Sequence, residues 1–108
     1  RSWGYWRVLD NKPEQNIKVK ELVINPNCNL SDQRHRYRSE YWYVLSGELR
    51  MDTEYNSRKE TRYMLQNDTY VVDSGVWHKA VNETNRPCHV LEVQYGDKCI
   101  EEDIERRD

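Results

Sequence analysis

Turn signals recur at close intervals along this chain and cut it into short β-forming runs, which restricts it to a fold of many short strands. They are Asn11-Lys12-Pro13-Glu14, Pro26-Asn27, Ser46-Gly47, Asn56-Ser57, Gln66-Asn67-Asp68, Asp73-Ser74-Gly75 and Asn85-Arg86-Pro87, all built from residues that tolerate or preset turn dihedrals. Between them lie runs rich in β-branched and aromatic residues: Trp3 to Leu9, Ile17 to Ile24, Gln33 to about Asp52, Thr61 to Leu65, Thr69 to Val72, Val76 to Val81 and His89 to Gln94. Met51 to Glu60 carries polar loop chemistry around Asn56-Ser57. Only the tail, Glu101 to Arg107, has helical composition, and it is too short to hold a helix alone. This spacing predicts an all-β sandwich or barrel, and 108 residues predict one domain, residues 1–108.

Composition settles two further points. Hydrophobic residues make up only 36% of the chain, which alone would suit disorder. Against that, 4 Trp and 8 Tyr are spread through the alternating runs, and large aromatics bury enough area each to hold a small core. A net charge of -2 supplies no basic field, so no nucleic-acid partner is expected. No run approaches the roughly 18 apolar residues of a membrane span, and no signal-peptide pattern is present, so no membrane association is expected. Cys28, Cys88 and Cys99 are odd in number and lack C-x-x-C spacing, which argues against a disulfide framework and predicts a reducing, cytoplasmic location.

The chemistry concentrates between Gln33 and Gly47. Gln33, His35 and Tyr37 sit at every second position and share one face of a strand. Glu40 is out of step by one, and returns to that face only if the chain breaks its alternation within Arg36–Ser39. An amide oxygen, an imidazole and a carboxylate then face one interior, a donor set that suits a borderline divalent metal. A further ligand is expected from Gly75-Val76-Trp77-His78.

The spacing Gln33-x-His35-x(4)-Glu40-x(6)-Gly47 resembles the first motif of the cupin superfamily, with Gln33 in the place of the usual first His, and Gly75, His78 and Asn82 fall at the Gly, His and Asn positions of the second. Arg1-x-Trp3-Gly4, Lys18-Val19-Lys20, Arg38-Ser39-Glu40-x-Trp42, Trp77-His78 and Glu92-Val93-Gln94-x-Gly96 narrow the resemblance to the C-terminal cupin domain of type II mannose-6-phosphate isomerases. The tail residues Glu101, Asp103, Ile104 and Arg106 match it as well. The resemblance implies a single-domain jelly-roll β-barrel with one divalent metal (Zn, Mn, Co, Ni or Fe, not distinguished) on Gln33, His35, Glu40 and His78. It implies Arg38 as a catalytic residue and a sugar phosphate as substrate, in a metal-dependent aldose–ketose isomerisation of mannose 6-phosphate and fructose 6-phosphate. A metal- or sugar-binding cupin without turnover, and a cupin oxygenase, are the alternatives. In that family the domain commonly follows a mannose-1-phosphate guanylyltransferase domain, whose Gly-rich nucleotide loop these residues lack.

Individual residues carry further expectations. Asn27 and Asn67 replace the glycines that open the two motifs, so both are expected at positive φ. Tyr37 stands where the family usually has His; it leaves the implied ligand set intact, alters the pocket beside it and is expected there as a substrate-binding residue. Arg34, Arg36 and Arg38 alternate, with Arg38 expected on the turn at the pocket mouth and Arg36 on the solvated face. Lys18 and Lys20 suit a substrate phosphate or a surface ladder. Trp42 and Trp77 read as core rather than sugar platform, and Glu101–Asp108 as a solvated edge cover. The consecutive bulk of Trp3-Gly4-Tyr5-Trp6 faces both sides of a strand, and the family's habit of pairing two cupins predicts a homodimer. The sequence does not identify a base.

Overall fold

Asn56 and Ser57 both adopt left-handed dihedrals, φ 51° and 66°, the geometry in which a two-residue turn follows the twist of the strands it joins. The segment expected as loop, Met51 to Glu60, is therefore mostly hairpin: Leu49–Tyr55 and Arg58–Met64 pair antiparallel on either side of that turn. The second of these is an exposed edge strand, apart from Met64, so it carries no alternation of burial to betray it. Asn27 (φ 56°) and Asn67 (φ 73°) take the positive φ expected of them.

The computed structural model describes residues 1–107. Its strands are β1 (Gly4–Lys12), β2 (Ile17–Ile24), β3 (Cys28–Asn29), β4 (Gln33–Arg34), β5 (Arg38–Ser46), β6 (Leu49–Tyr55), β7 (Arg58–Met64), β8 (Thr69–Val72), β9 (Trp77–Asn82), β10 (Cys88–Gly96) and β11 (Glu105–Arg106), with a short 3-10 turn at Pro13–Gln15. They form two antiparallel sheets, ordered β1-β2-β10-β5-β8 and β11-β4-β9-β6-β7, with β3 paired to β9. No helix among the described residues is long and apolar enough to cross a membrane.

The inner face of the first sheet changes character along its strands. By register Leu22 lies beside Val90 and Val44, the next row is Lys20, Glu92 and Trp42, and the next Lys18, Gln94 and Glu40. One end of the barrel is thus an apolar plug, closed from the other sheet by Leu49, Met51, Met64 and Ala80, and the other end is a buried polar chamber. Asn82 pins the plug end: its Nδ2 donates to the carbonyls of Ile24, Asn25 and Arg86, and its Oδ1 accepts from the backbone N–H and hydroxyl of Thr84. Trp42 is 1% exposed and belongs to the core. Trp77 is half-buried between the guanidinium groups of Arg34 and Arg107, whose Cζ atoms lie 4.6 and 4.3 Å from its ring centre.

At the chamber end the tail does more than cover an edge. Gly96 (φ 142°) passes so close to the chain that a Cβ there would lie 2.5 Å from the Tyr37 carbonyl oxygen. Beyond it the chain crosses the mouth and finishes in β11, paired with β4. Asp103 is 8% exposed, and its carboxylate accepts from the backbone N–H groups of Arg36 and Tyr37, both at 2.8 Å. Those two bonds hold the bend that resets the strand alternation, so the break expected within Arg36–Ser39 falls at Arg36 and Tyr37.

Candidate metal centre

The bend places His35 and Glu40 on one interior, and β9 brings His78 in from the opposite sheet. Each of the three offers a ligand atom within 4.8 Å of the others, and all are at most 3% exposed. His35 Nε2 lies 3.1 Å from Glu40 Oε2, and His78 Nε2 lies 3.2 Å from Glu40 Oε1. Both imidazoles are oriented from behind: His35 Nδ1 donates to the Asp103 carbonyl at 2.7 Å, and His78 Nδ1 to the Val76 carbonyl at 3.0 Å. A carbonyl only accepts, so each Nδ1 carries a proton, and each ring turns its Nε2 toward the carboxylate.

The Arg38 guanidinium reaches this cluster from one side, its Nη2 3.4 Å from His35 Nε2 and 3.0 Å from Glu40 Oε2. His78 Nε2 is buried and satisfies no hydrogen-bond geometry despite its closeness to Glu40. Burial alone would raise the Glu40 pKa, but the adjacent His35 and His78 rings outweigh it and hold the carboxyl well below the carboxylate range. Burial would likewise depress His78, and the adjacent Glu40 carboxylate outweighs that and raises it. Two imidazoles and a carboxylate, with their outer nitrogens tied down, fit a divalent cation in that place. Gln33 pairs with His78 across β4 and β9 and lines a cavity together with Glu40.

Arg38 differs from its expected position. It is the first residue of β5, not a turn residue, and its side chain is buried on the same inner face as Glu40. Its Nε and Nη2 donate to Glu40 Oε2 at 3.1 and 3.0 Å, and its Nη1 to the Ile100 carbonyl at 3.2 Å. Trp42 Nε1 donates to the other oxygen of Glu40 at 3.1 Å. Glu40 is therefore the hub of the chamber. Arg36 is exposed, as expected.

The two lysines face inward as well. Lys18 and Lys20 are 9% and 5% exposed, and both reach the Glu101 carboxylate, at 3.2 and 2.7 Å. Lys20 also packs over Trp6, its Nζ 4.1 Å from the ring centre. A carboxylate bridging two buried ammonium groups marks a place where an anion is already recognised. Tyr37 turns the other way: it is absent from the cavity lining and packs against Lys98 and Arg36.

The cavity, about 450 Å3, is lined by Lys20, Gln33, Arg38, Glu40, Glu92, Gln94 and Glu101 at its polar wall, and by Trp3, Trp6, Leu22 and Leu30 at its apolar one. Sequence reasoning missed Glu92 and Gln94 as site residues. Glu92 is 5% exposed; burial first, and then the charge of Glu40, push its carboxyl up to about 8, against the pull of Arg38, Gln94 and Lys20. A carboxyl poised near neutrality can both take and give a proton. Their alternation with Val90 on β10 and with Leu22 and Ile24 across on β2 was the available signal.

A two-sheet β-barrel with two His and one Glu converging in its mouth is a cupin with a candidate metal centre. Among solved structures, the barrel is similar to the capsular polysaccharide assembling protein CapF from Staphylococcus aureus, with TM-score 0.88 and 12% identity over 100% of this chain and 33% of that one. It is also similar to a cupin domain of an XRE family transcriptional regulator from Enterobacter cloacae, with TM-score 0.76 and 18% identity over 89% and 99% of the two chains. The chain belongs to the mannose-6-phosphate isomerase C-terminal family, whose model matches residues 1–108. Curated relatives include the xanthan biosynthesis protein XanB of Xanthomonas campestris pv. campestris, 32% identical over 98% of this chain. Another is mannose-1-phosphate guanylyltransferase 2 of Escherichia coli O157:H7, 30% identical over 99% of it. The chain spans about a fifth of the length of these relatives, 21% in both cases.

Proposed function

We propose that this chain interconverts mannose 6-phosphate and fructose 6-phosphate, an aldose–ketose isomerisation assisted by one divalent metal. The observation that carries the reading is a cavity lined by Glu40, the carboxylate of the His35–Glu40–His78 cluster, and by Lys20 and Glu101 of the Lys18–Lys20–Glu101 group. In this reading Gln33, His35, Glu40 and His78 hold the metal, which when bound polarises the sugar carbonyl and lowers the cost of an enediolate. Lys18 and Lys20 take the substrate phosphate in place of the Glu101 carboxylate. Arg38 fixes Glu40 and presents a guanidinium to the oxygen that becomes negative. Tyr37 packs beside Lys98, outside the cavity lining. The test is incubation of the metal-loaded chain with fructose 6-phosphate under nitrogen. Formation of mannose 6-phosphate is the expected result; oxygen uptake in air would point to an oxygenase, and binding without conversion to a sugar-binding cupin.

The reading extends to a homodimer. Trp3 and Trp6 pack against the core, whereas Tyr5 is 51% exposed on an edge strand that also exposes Val8 and Leu9, at 44% and 48%. An edge of this kind invites cover by a second copy. Light scattering at micromolar concentration should give twice the chain mass; a monomer there contradicts it.

A further inference from the structure

We propose that Glu92 is the catalytic residue that carries the proton between the two carbons of the sugar, and that Gln94 positions it. This rests on the isomerase reading above. Glu92 and Gln94 project from the inner face of β10 into the cavity, in the rows beside Trp42 and Glu40. Gln94 Nε2 donates to Glu92 Oε1 at 2.7 Å, which leaves Oε2 for the cavity. The cations around Glu92 are engaged elsewhere: Lys20 with Glu101, and Arg38 with Glu40. Gln94 is 1% exposed, and its Oε1 is buried without a hydrogen-bond partner among the described residues.

A buried acceptor with nothing to accept from typically costs about 1–3 kcal/mol. An apolar pair continuing the Val90 row would avoid that cost, so fold stability does not explain Glu92 and Gln94. A sugar hydroxyl donating to Gln94 Oε1 does. Elimination leads to the same carboxyl. Of the acid–base groups lining the cavity among the described residues, Lys20 is committed to the phosphate, Glu101 is a half-exposed tail residue and Glu40 faces both imidazoles, which leaves Glu92 as the buried group with a free oxygen.

In the aldose-to-ketose direction Glu92 Oε2 takes the proton from C2. The C–H electron pair becomes the C1=C2 bond of an enediolate, and the former carbonyl oxygen O1 takes the negative charge. The double bond then recovers the proton from Glu92 at C1, the O2 hydroxyl proton passes to O1, and C2 becomes the carbonyl. The carboxylate is regenerated and no electrons are gained or lost overall.

The experiment follows mannose 6-phosphate in D2O with the metal-loaded chain, reading isomerisation and deuterium entry into the carbon-bound positions together. Glu92→Gln should lower both by on the order of 100- to 10,000-fold, the usual weight of a positioned acid–base group. KM, metal content and the affinity for glucitol 6-phosphate, which has no carbonyl to isomerise, should stay within about twofold of wild type. Glu92→Asp keeps the carboxyl on a shorter arm, so it should recover part of the rate, and it carries the test if Glu92→Gln does not fold. An active wild type with a Glu92→Gln chain within about threefold of its kcat overturns the assignment and leaves the isomerase reading standing. Loss of glucitol 6-phosphate affinity in both variants overturns it in favour of a binding role. A wild type without turnover overturns both readings.

Discussion

Glu40→Ala should destabilise the fold by about 3–5 kcal/mol and abolish retention of a divalent metal, because it strips the counter-charge from a buried network. Glu40 is 1% exposed, accepts from Arg38 and Trp42, and faces both imidazoles. Its removal leaves the Arg38 guanidinium buried without its carboxylate and the Trp42 N–H without an acceptor. Glu40→Gln keeps the volume and one carbonyl oxygen, so it should recover much of the stability while still failing to hold metal. The measurement is urea denaturation alongside metal analysis of the purified variants. An Ala variant with the wild-type midpoint and metal content would remove Glu40 from the centre of this account.

Arg38 carries the second large effect, and it divides between rate and stability. Losing a preorganised donor to a developing oxyanion typically costs on the order of 100- to 1000-fold in rate, so Arg38→Ala should lose that much isomerisation. The variant should also be less stable, since Glu40 loses two hydrogen bonds and the tail loses its anchor at the Ile100 carbonyl. That loss should be larger in chelated protein than in metal-loaded protein, where the cation still compensates Glu40. Arg38→Lys keeps the charge without the planar fork and should recover only part of the rate. Arg36→Ala is the control: Arg36 is exposed and its change should be nearly silent. Equal losses from the two alanine substitutions would mean that the chamber does not depend on Arg38 in this way.

The strand architecture was legible because turn residues punctuate the chain more reliably than propensity fills it. Asn27 and Asn67 stand at positive φ, and β2, β8, β9 and β10 fall within a residue or two of the runs read from sequence. His35, Glu40 and His78 were legible by spacing, and they do converge. The hairpin at Asn56-Ser57 was lost because β7 is exposed on both faces and leaves no hydrophobic period. The polar wall of the chamber was hidden for the opposite reason. On β2 and β10 the residues alternating with Lys20 and Glu92 include Val19, Val23, Leu91 and Val93, so hydrophobicity favours the wrong face. Parity with Leu22, Ile24 and Val90 decides it, but only once the plug is known to share the face of the chamber. Tyr37 and Arg38 were displaced from their expected places by one event, the bend held by Asp103, which lies in a tail that reads as solvated.

The central claim is that His35, Glu40 and His78 hold a divalent metal, and thermal melting with and without a chelator tests it most directly. A ligand that binds only the folded state adds about 2.7 kcal/mol at a hundredfold excess over its dissociation constant. For a domain of this size that corresponds to a melting shift of roughly 10 °C or more. The wild-type chain should melt lower after chelation and recover on adding back metal, while His78→Ala should melt at one temperature under all three conditions. A wild-type chain that carries no metal as purified, and whose melting neither chelator nor added divalent cation moves, would contradict the account.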